Sequence, residues 1–296
     1  MVIRDTSIGS RAFDVVNTVV LTIVGISCFL PILHLFAVSL SNQSAVGGGL
    51  VSLWPVRPTG ASYVKLMEDT AFFRAGSISI ARTVVGTIVN LSLIVLLAYP
   101  LAQSPKKLKY RNILMTYVII TMYFSAGLIP LYMVVRATGL LNSFWSLIFP
   151  RAVPVWSVII LMNFFRSQPE SLEEAALIDG ATPLQILYRI AIPIARPAIA
   201  TLTLFAMLNH WNNWFDGLIY LNSPRLYPLQ TYLYGQIAGA DTRTLLEQRA
   251  SDIALFFSQE TLRAAQIFVA TIPIIIVYPL LQKHFVKGIV IGSVKG

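Results

Sequence analysis

Apolar residues run through this chain in long blocks separated by polar punctuation, and the lengths of those blocks predict the elements. Six blocks stand out, over about 15–39, 78–102, 113–135, 144–165, 198–221 and 262–281. A helix rises 1.5 Å per residue, so about 20 residues cross the roughly 30 Å hydrocarbon core of a bilayer. In lipid each backbone N–H and C=O must find its partner within the protein, so blocks of this length predict helices. The expected fold is all-α: a polytopic membrane protein with six transmembrane helices, forming a single domain over 1–296. The first block is too long for a signal-peptide core and lacks a small-residue cleavage site, so it is expected to be retained. Pro31 is placed to kink it, and His34 and Cys28 within it are expected to pack.

The interruptions are as informative as the blocks. Ser125, Gly127 and Pro130 break the third, and Pro150 and Pro154 loosen the first half of the fourth. Gly139 and Asn142 mark a tight turn between them. Two longer polar stretches, about 42–77 and 222–261, read as loops. Gly47, Gly48 and Gly49 in the first are flexible punctuation: no Lys-Ser or Lys-Thr follows them to open a helix, which excludes a phosphate-binding loop. Arg82 falls near the outer end of the second span, where it is expected to snorkel.

Composition sharpens the setting. The chain of 296 residues is 56% hydrophobic and 12% charged, with mean hydropathy +0.70. The charged share is about half that of a soluble domain. A net charge of +9 raises the question of nucleic acid. The basic residues fall between apolar spans, however, as in a membrane protein, so no nucleic-acid partner is expected. If the N-terminus is cytoplasmic, then Arg4 and Arg11, the turn carrying Lys106, Lys107, Lys109 and Arg111, the 166–197 segment and the tail with Lys283, Lys287 and Lys295 share one side. Together they hold 12 of the 22 Lys and Arg, which places both termini in the cytoplasm.

One polar, acid-containing segment, 167–197, is longer than a connecting turn needs. Ser167 and Glu170 have capping-box spacing with Pro169 between them, and Gly180 sits where a left-handed residue would end a helix. Thr182, Pro183 and Gln185 repeat the start signal, and Pro193 and Pro197 are expected to stop the second helix. The result is a helix–turn–helix beside the membrane. Amphipathic helices that lie on lipid are usually rich in Lys and Arg. This one carries Glu173, Glu174 and Asp179, which favours a protein partner.

The fifth span holds a second unusual run: Asn209, His210, Trp211, Asn212, Asn213, Trp214 and Asp216. Polar groups at membrane depth face a bundle interior or an aqueous cavity, and aromatic faces with amides suit a sugar. His210, Asn213, Trp214 and Asp216 are the candidate substrate-pathway residues. The run covers all sides of a helix, so not all of it can line one path, and Trp211 or Trp214 is alternatively an interfacial anchor. Met122, Tyr123 and Tyr132 read as bundle packing rather than a sugar site. Arg136 and Arg151 either favour an anionic polymer or snorkel. There is no His-Glu-x-x-His, no metal-spaced Cys and His cluster, no Gly-x-Ser-x-Gly and no Walker lysine, and His34, His210 and His284 are scattered. No catalytic or metal residue is expected, and any energy source must lie in a partner.

Glu174-Ala175-Ala176, then Gly180, then Ile190, Ile192 and Pro193 resembles the cytoplasmic Glu-Ala-Ala loop of ABC-importer permeases. Every spacing of that pattern matches; Ile192 stands for its Leu, and Leu187 for a frequent Phe. The six-span plan and the ending YPLLQKHFVKGIVIGSVKG resemble carbohydrate-uptake permeases of the maltose and oligosaccharide type, and within them permeases for acidic polysaccharides such as alginate. The resemblance implies a type I importer permease in the bacterial inner membrane. It implies that Glu173, Glu174, Ala175, Ala176, Asp179, Gly180 and Pro193 couple to an ATP-binding subunit, with ATP and Mg bound in that partner and no cofactor bound by this chain. The implied partners are a second permease subunit, two ATP-binding subunits, an extracytoplasmic solute-binding protein met by outer-loop residues such as Pro228, Gln230 and Tyr232, the lipid bilayer and a carbohydrate substrate. Two other readings stay open: an ion-coupled secondary transporter, for which His210 and Asp216 are the ionisable candidates, and a non-transporting scaffold that docks a cytoplasmic protein through 167–197.

Overall fold

The structure, a computed structural model, describes residues 8–244 and 259–279, with the backbone alone for 239–244. Every described element is a helix or a short 3₁₀ or π turn. In chain order the α-helices are α1 (Ile8–Ser39), α2 (Gln43–Gly47), α3 (Ala61–Glu68), α4 (Thr70–Ala102), α5 (Arg111–Tyr123), α6 (Leu128–Ala137), α7 (Val155–Arg166), α8 (Glu170–Ile178), α9 (Pro183–Ile186), α10 (Ile192–Ile194), α11 (Arg196–Asn212), α12 (Phe215–Tyr220) and α13 (Leu229–Thr244). The last described helix is α14 (Gln259–Pro279). Arg4, His284, the basic tail and all but the first two residues of the C-terminal motif lie outside the described residues.

Among the described residues, α1, α4 and α14 are each long and apolar enough to cross a membrane. Three further candidates are bent pairs: α5 with α6 at 117°, Phe144–Arg151 with α7 at 54°, and Pro183–Ile194 with α11 at 82°. The breaks fall where the sequence placed its punctuation. Gly127 takes φ +83° between α5 and α6, a left-handed conformation that a side chain would disfavour. Pro130 follows in the first turn of α6, where its missing N–H costs nothing. Between Phe144 and Arg151 the chain forms two 3₁₀ turns, and α7 starts after Pro154.

Two loop expectations need correction. α4 begins at Thr70, well before residue 78, because Phe72 and Ala75 already give its first turns a buried face. The stretch read as the second loop contains α13. The expected single fifth span is also divided: α11 ends at Asn212, and the short α12 follows.

The described residues divide into two compact units, 8–70 with 235–244 and 259–271, and 71–234 with 272–279. In the first, the end of α1 is held by polar ties. Ser39 Oγ and Tyr63 Oη lie 2.8 Å apart, and Thr59 N donates to Leu40 O at 2.7 Å. Phe36 and Phe268 pack at 4.9 Å, and Gln266 donates to Asp69 at 2.9 Å. The earlier turns of α1 are apolar and exposed, Cys28 included, so the expected packing of Cys28 is not met among the described residues. His34 is exposed as well, and its Nδ1 donates to Ser52 O at 2.6 Å instead of packing in a core.

The second unit has a core between α4, α7 and the start of α11. Ile94 and Leu101 meet Val158, Leu161 and Phe165, with Leu187 and Leu202 closing the layer. Ala98, Ala195 and Ala198 lie in the same layer. Small residues let helix backbones approach closely, and that packing is what holds helices together where lipid is as apolar as the side chains.

Candidate functional site

Two regions of the second unit concentrate the chemistry, and the first is the 167–197 segment. α8 starts differently from the capping-box expectation. Ser167 still has helical backbone at the end of α7, so its hydroxyl turns back and donates to Phe164 O at 2.9 Å, and Pro169 precedes α8 without a side-chain cap. The other end of α8 follows the sequence. Gly180 takes φ +78°, Gly180 N donates to Leu177 O at 3.0 Å, and Ala181 N donates to Ala176 O at 2.9 Å. That closure needs a left-handed residue. The next helix opens with a complete capping box: Thr182 N donates to Gln185 Oε1 at 2.8 Å, and Gln185 N to Thr182 Oγ1 at 3.4 Å.

Pro193 does not stop this second helix, contrary to expectation. The chain widens into a π turn over Leu187–Ala191 and continues to Ile194 before the bend into α11. A proline inside a helix lacks an N–H and crowds the carbonyl four residues back. A wider turn just ahead of it relieves that conflict.

None of the nine residues of α8 is buried. Ile178 is 87% exposed, and Leu172, Leu177, Leu184 and Tyr188 are exposed around it. Glu174, Ala175, Asp179 and Gly180 are exposed; Ala176 and Pro193 are half-buried. Glu173 is engaged within the chain, its carboxylate 3.3 Å from Lys107 Nζ. Gln168 Nε2 donates to Ala191 O at 3.0 Å and joins the two arms of the segment. Arg111 and Arg166 both donate to Leu101 O, at 3.0 and 3.3 Å. Two cations thus meet the negative end of α4, where the helix dipole favours them.

The second region is a polar seam between α4 and the end of α11. Ser79, Arg82, Thr83, Gly86, Thr87 and Asn90 are all buried on one face of α4. Arg82 does not snorkel. It is 1% exposed; its Nη2 donates to Asp216 Oδ2 at 2.7 Å and its Nη1 to Asn213 O at 2.9 Å. The reason lies across the seam: α11 ends at Asn212, which leaves a free carbonyl and a carboxylate facing one guanidinium. Asn213 Oδ1 also accepts from Asp216 N at 3.0 Å, so the break between α11 and α12 is tied on both sides. His210 is buried, with Nε2 3.2 Å from Asn90 Oδ1.

His210 lies flat against Gly86, where a Cβ would sit 2.5 Å from its Nε2. Gly86→Val is therefore expected to force the ring aside and lower stability by about 1–3 kcal/mol, the usual range for overpacking. Thermal unfolding of the detergent-solubilised protein checks this, and an unchanged midpoint contradicts it.

The candidate pathway residues separate into two groups. Asp216 and His210 point into the seam, engaged by Arg82 and Asn90. Asn213 and Trp214, with Asn209, Asn212 and Phe215, line a cleft of about 290 Å³. Trp214 stacks on Tyr234 at 4.1 Å, whereas Trp211 is buried and so is not an interfacial anchor. Tyr132 packs on Tyr220 at 6.5 Å, while Met122 and Tyr123 are exposed in this chain. Pro228 is fully buried, and Tyr232 packs edge-on to Phe72 at 6.4 Å. A second cavity, about 380 Å³, is lined by Asn90, Arg151, Ser157, Phe205 and Asn209 among others. Asn209 borders both spaces. Sequence reasoning missed the Arg82 pairing, although Ser79, Arg82, Thr83, Gly86, Thr87 and Asn90 recur at helical spacing in an apolar span and mark a buried polar face.

Known proteins align along most of the chain. Protein LplC of Bacillus subtilis (strain 168) is 39% identical over 287 residues, covering 97% of this chain and 96% of LplC. The polygalacturonan/rhamnogalacturonan transport system permease protein YtcP of the same organism is 37% identical over 287 residues, covering 97% and 99%. A chain in the crystal structure of a bacterial ABC transporter involved in the import of the acidic polysaccharide alginate superimposes with a TM-score of 0.84 at 34% identity, covering 94% of this chain and 98% of that one. Residues 77–291 match the family described as "Binding-protein-dependent transport system inner membrane component", and that span includes both the 167–197 segment and the polar seam. The chain belongs to this family of inner membrane components of binding-protein-dependent transport systems.

Proposed function

We propose that this chain is the permease subunit of an ATP-driven importer of oligo- or polysaccharides, with the 167–197 segment as the element that receives the power stroke. The observation that carries this reading is α8. It is a nine-residue helix with no buried residue, too short to be stable alone in water, and it presents Ile178, Leu177 and Leu172 beside Glu174 and Asp179. A short helix with apolar anchors, small residues for close approach and a few charges to fix its register suits a protein cleft. Glu174, Ala175, Ala176, Asp179 and Gly180 would make the seat, with Glu173 holding the helix to the 103–111 turn through Lys107 and Pro193 setting the path back to the membrane.

In this reading the chain crosses the inner membrane six times with both termini in the cytoplasm. It pairs with a second permease and rests on two ATP-binding subunits, which hold ATP and Mg and carry out the hydrolysis. A solute-binding protein delivers a glycan on the outer side. YtcP and the alginate importer are named for acidic polysaccharides, which supports that substrate class. Asn213 and Trp214, which line the 290 Å³ cleft, suit the sugar path; His210 and Asp216 support its walls.

An ion-coupled transporter is less favoured, because Asp216, one of its two ionisable candidates, is ion-paired with Arg82. Uptake separates the two mechanisms. ATP depletion is expected to abolish glycan uptake by cells carrying the whole system, and a protonophore at constant ATP to leave it intact. The reverse pattern contradicts the proposal, and no uptake under any condition favours a docking scaffold.

A further inference from the structure

We propose that Arg151 binds the carboxylate of an acidic sugar in the 380 Å³ cavity and selects for anionic glycans; this rests on the reading of the chain as a glycan permease. Arg151 closes the second 3₁₀ turn, between Pro150 and Pro154, at the bend of the pair that ends in α7. It is exposed, and among the described residues it has no hydrogen bond or ion pair. Arg82, Arg111 and Arg166 differ, each donating to an acceptor in the chain. An unpaired guanidinium that borders an open space is available to an anionic ligand.

The 380 Å³ cavity is that space. Among the described residues its lining contains no Asp or Glu to neutralise Arg151. Asn90, Asn209 and Ser157 offer hydrogen bonds to hydroxyls, and the exposed Phe205 ring, 6.2 Å from Trp156, offers a face to C–H groups. The volume falls in the range of small-ligand pockets, about 300–1,000 Å³. A guanidinium presents a planar fork that matches a carboxylate bidentately, which a hydroxyl cannot reproduce. Asn209 lines both this cavity and the Asn212–Trp214 cleft.

The test uses the complete importer reconstituted with its solute-binding protein, given trigalacturonate or its carboxyl-reduced, neutral counterpart. The readout is the ratio of uptake efficiencies for the two sugars, which does not depend on how much complex assembles and in which the binding protein's own preference is common to all variants. Arg151→Gln is expected to lower the acidic-to-neutral ratio about tenfold or more, the scale of a charged hydrogen-bonded pair. Arg136→Gln, outside the cavity, should leave it unchanged. If the Gln variant fails to assemble, Arg151→Lys carries the same test: it keeps the charge, loses the fork, and should lower the ratio severalfold. An unchanged ratio in the assembled variant overturns the proposal, as would be the case for an arginine that only reaches lipid headgroups. Import of the neutral sugar alone by the wild type overturns it while leaving the glycan permease intact. Import of neither sugar overturns both.

Discussion

Arg82→Met is expected to remove most of the assembled permease from the membrane. The substitution leaves the Asp216 carboxylate and the Asn213 carbonyl, both otherwise held by one guanidinium, without their donor inside the protein. Breaking one side of a buried ion pair costs about 3–5 kcal/mol, a large part of a typical folding free energy of roughly 5–15 kcal/mol. Asp216→Leu alone should be comparably damaging, since it leaves the buried cation unpaired. The double variant Arg82→Met/Asp216→Leu removes both charges and should recover much of the loss, because an apolar pair of similar volume is often no worse than a buried ion pair. Yield and thermal unfolding of the purified complex measure the coupling between the two sites. A double variant as unstable as the sum of the singles would contradict the pairing.

The second large effect is expected at the 167–197 segment, on coupling and not on folding. Gly180 sits at φ +78° and donates its N–H to Leu177. Proline there is locked near −65° and has no N–H, so Gly180→Pro would misdirect the turn between α8 and α9. A Cβ at Gly180 meets nothing within 4 Å, so the damage is confined to backbone geometry. Glu174 is exposed beside Ala175. Glu174→Lys reverses the charge on the face proposed to enter the ATP-binding subunit and makes no new contact in the core. Neither change touches the α4–α7–α11 layer, so both variants should insert and assemble with transport lost.

Much of the architecture was legible in the chain. Block lengths located α1, α4 and α14, and Gly127 with Pro130 marked the break between α5 and α6. The Thr182–Gln185 box and the Gly180 closure are local chemistry, written within a few residues, and they stand in the structure as read. The failures have a common cause. Ser167 has a capping signal, but α7 claims it, because a hydroxyl can serve either the helix it follows or the one it precedes. Pro193 has a stop signal, but a π turn absorbs it. Arg82 reads as a snorkelling residue until Asp216, 134 residues away, is placed opposite it. No local pattern encodes that pairing. The polar periodicity of α4 signals a buried face without naming what it meets.

The candidate site divides along the same line. The exposure of Glu170, Glu174 and Ala175 on α8 follows from the polar character of that short segment. The candidate substrate path depends on where α11 ends, and nothing in a polar run of seven residues announces that Asn213 and Trp214 turn out to a cleft while His210 and Asp216 turn in. With the helix broken after Asn212, the run no longer has to occupy all sides of one cylinder.

We propose that the 167–197 segment transmits work from an ATP-binding subunit. Its most direct test is substrate-stimulated ATP hydrolysis by the reconstituted complex, compared between wild type, Glu174→Lys and Gly180→Pro. Both variants are expected to assemble and keep basal hydrolysis while stimulation by the loaded solute-binding protein is lost. Undiminished stimulation in both would contradict it.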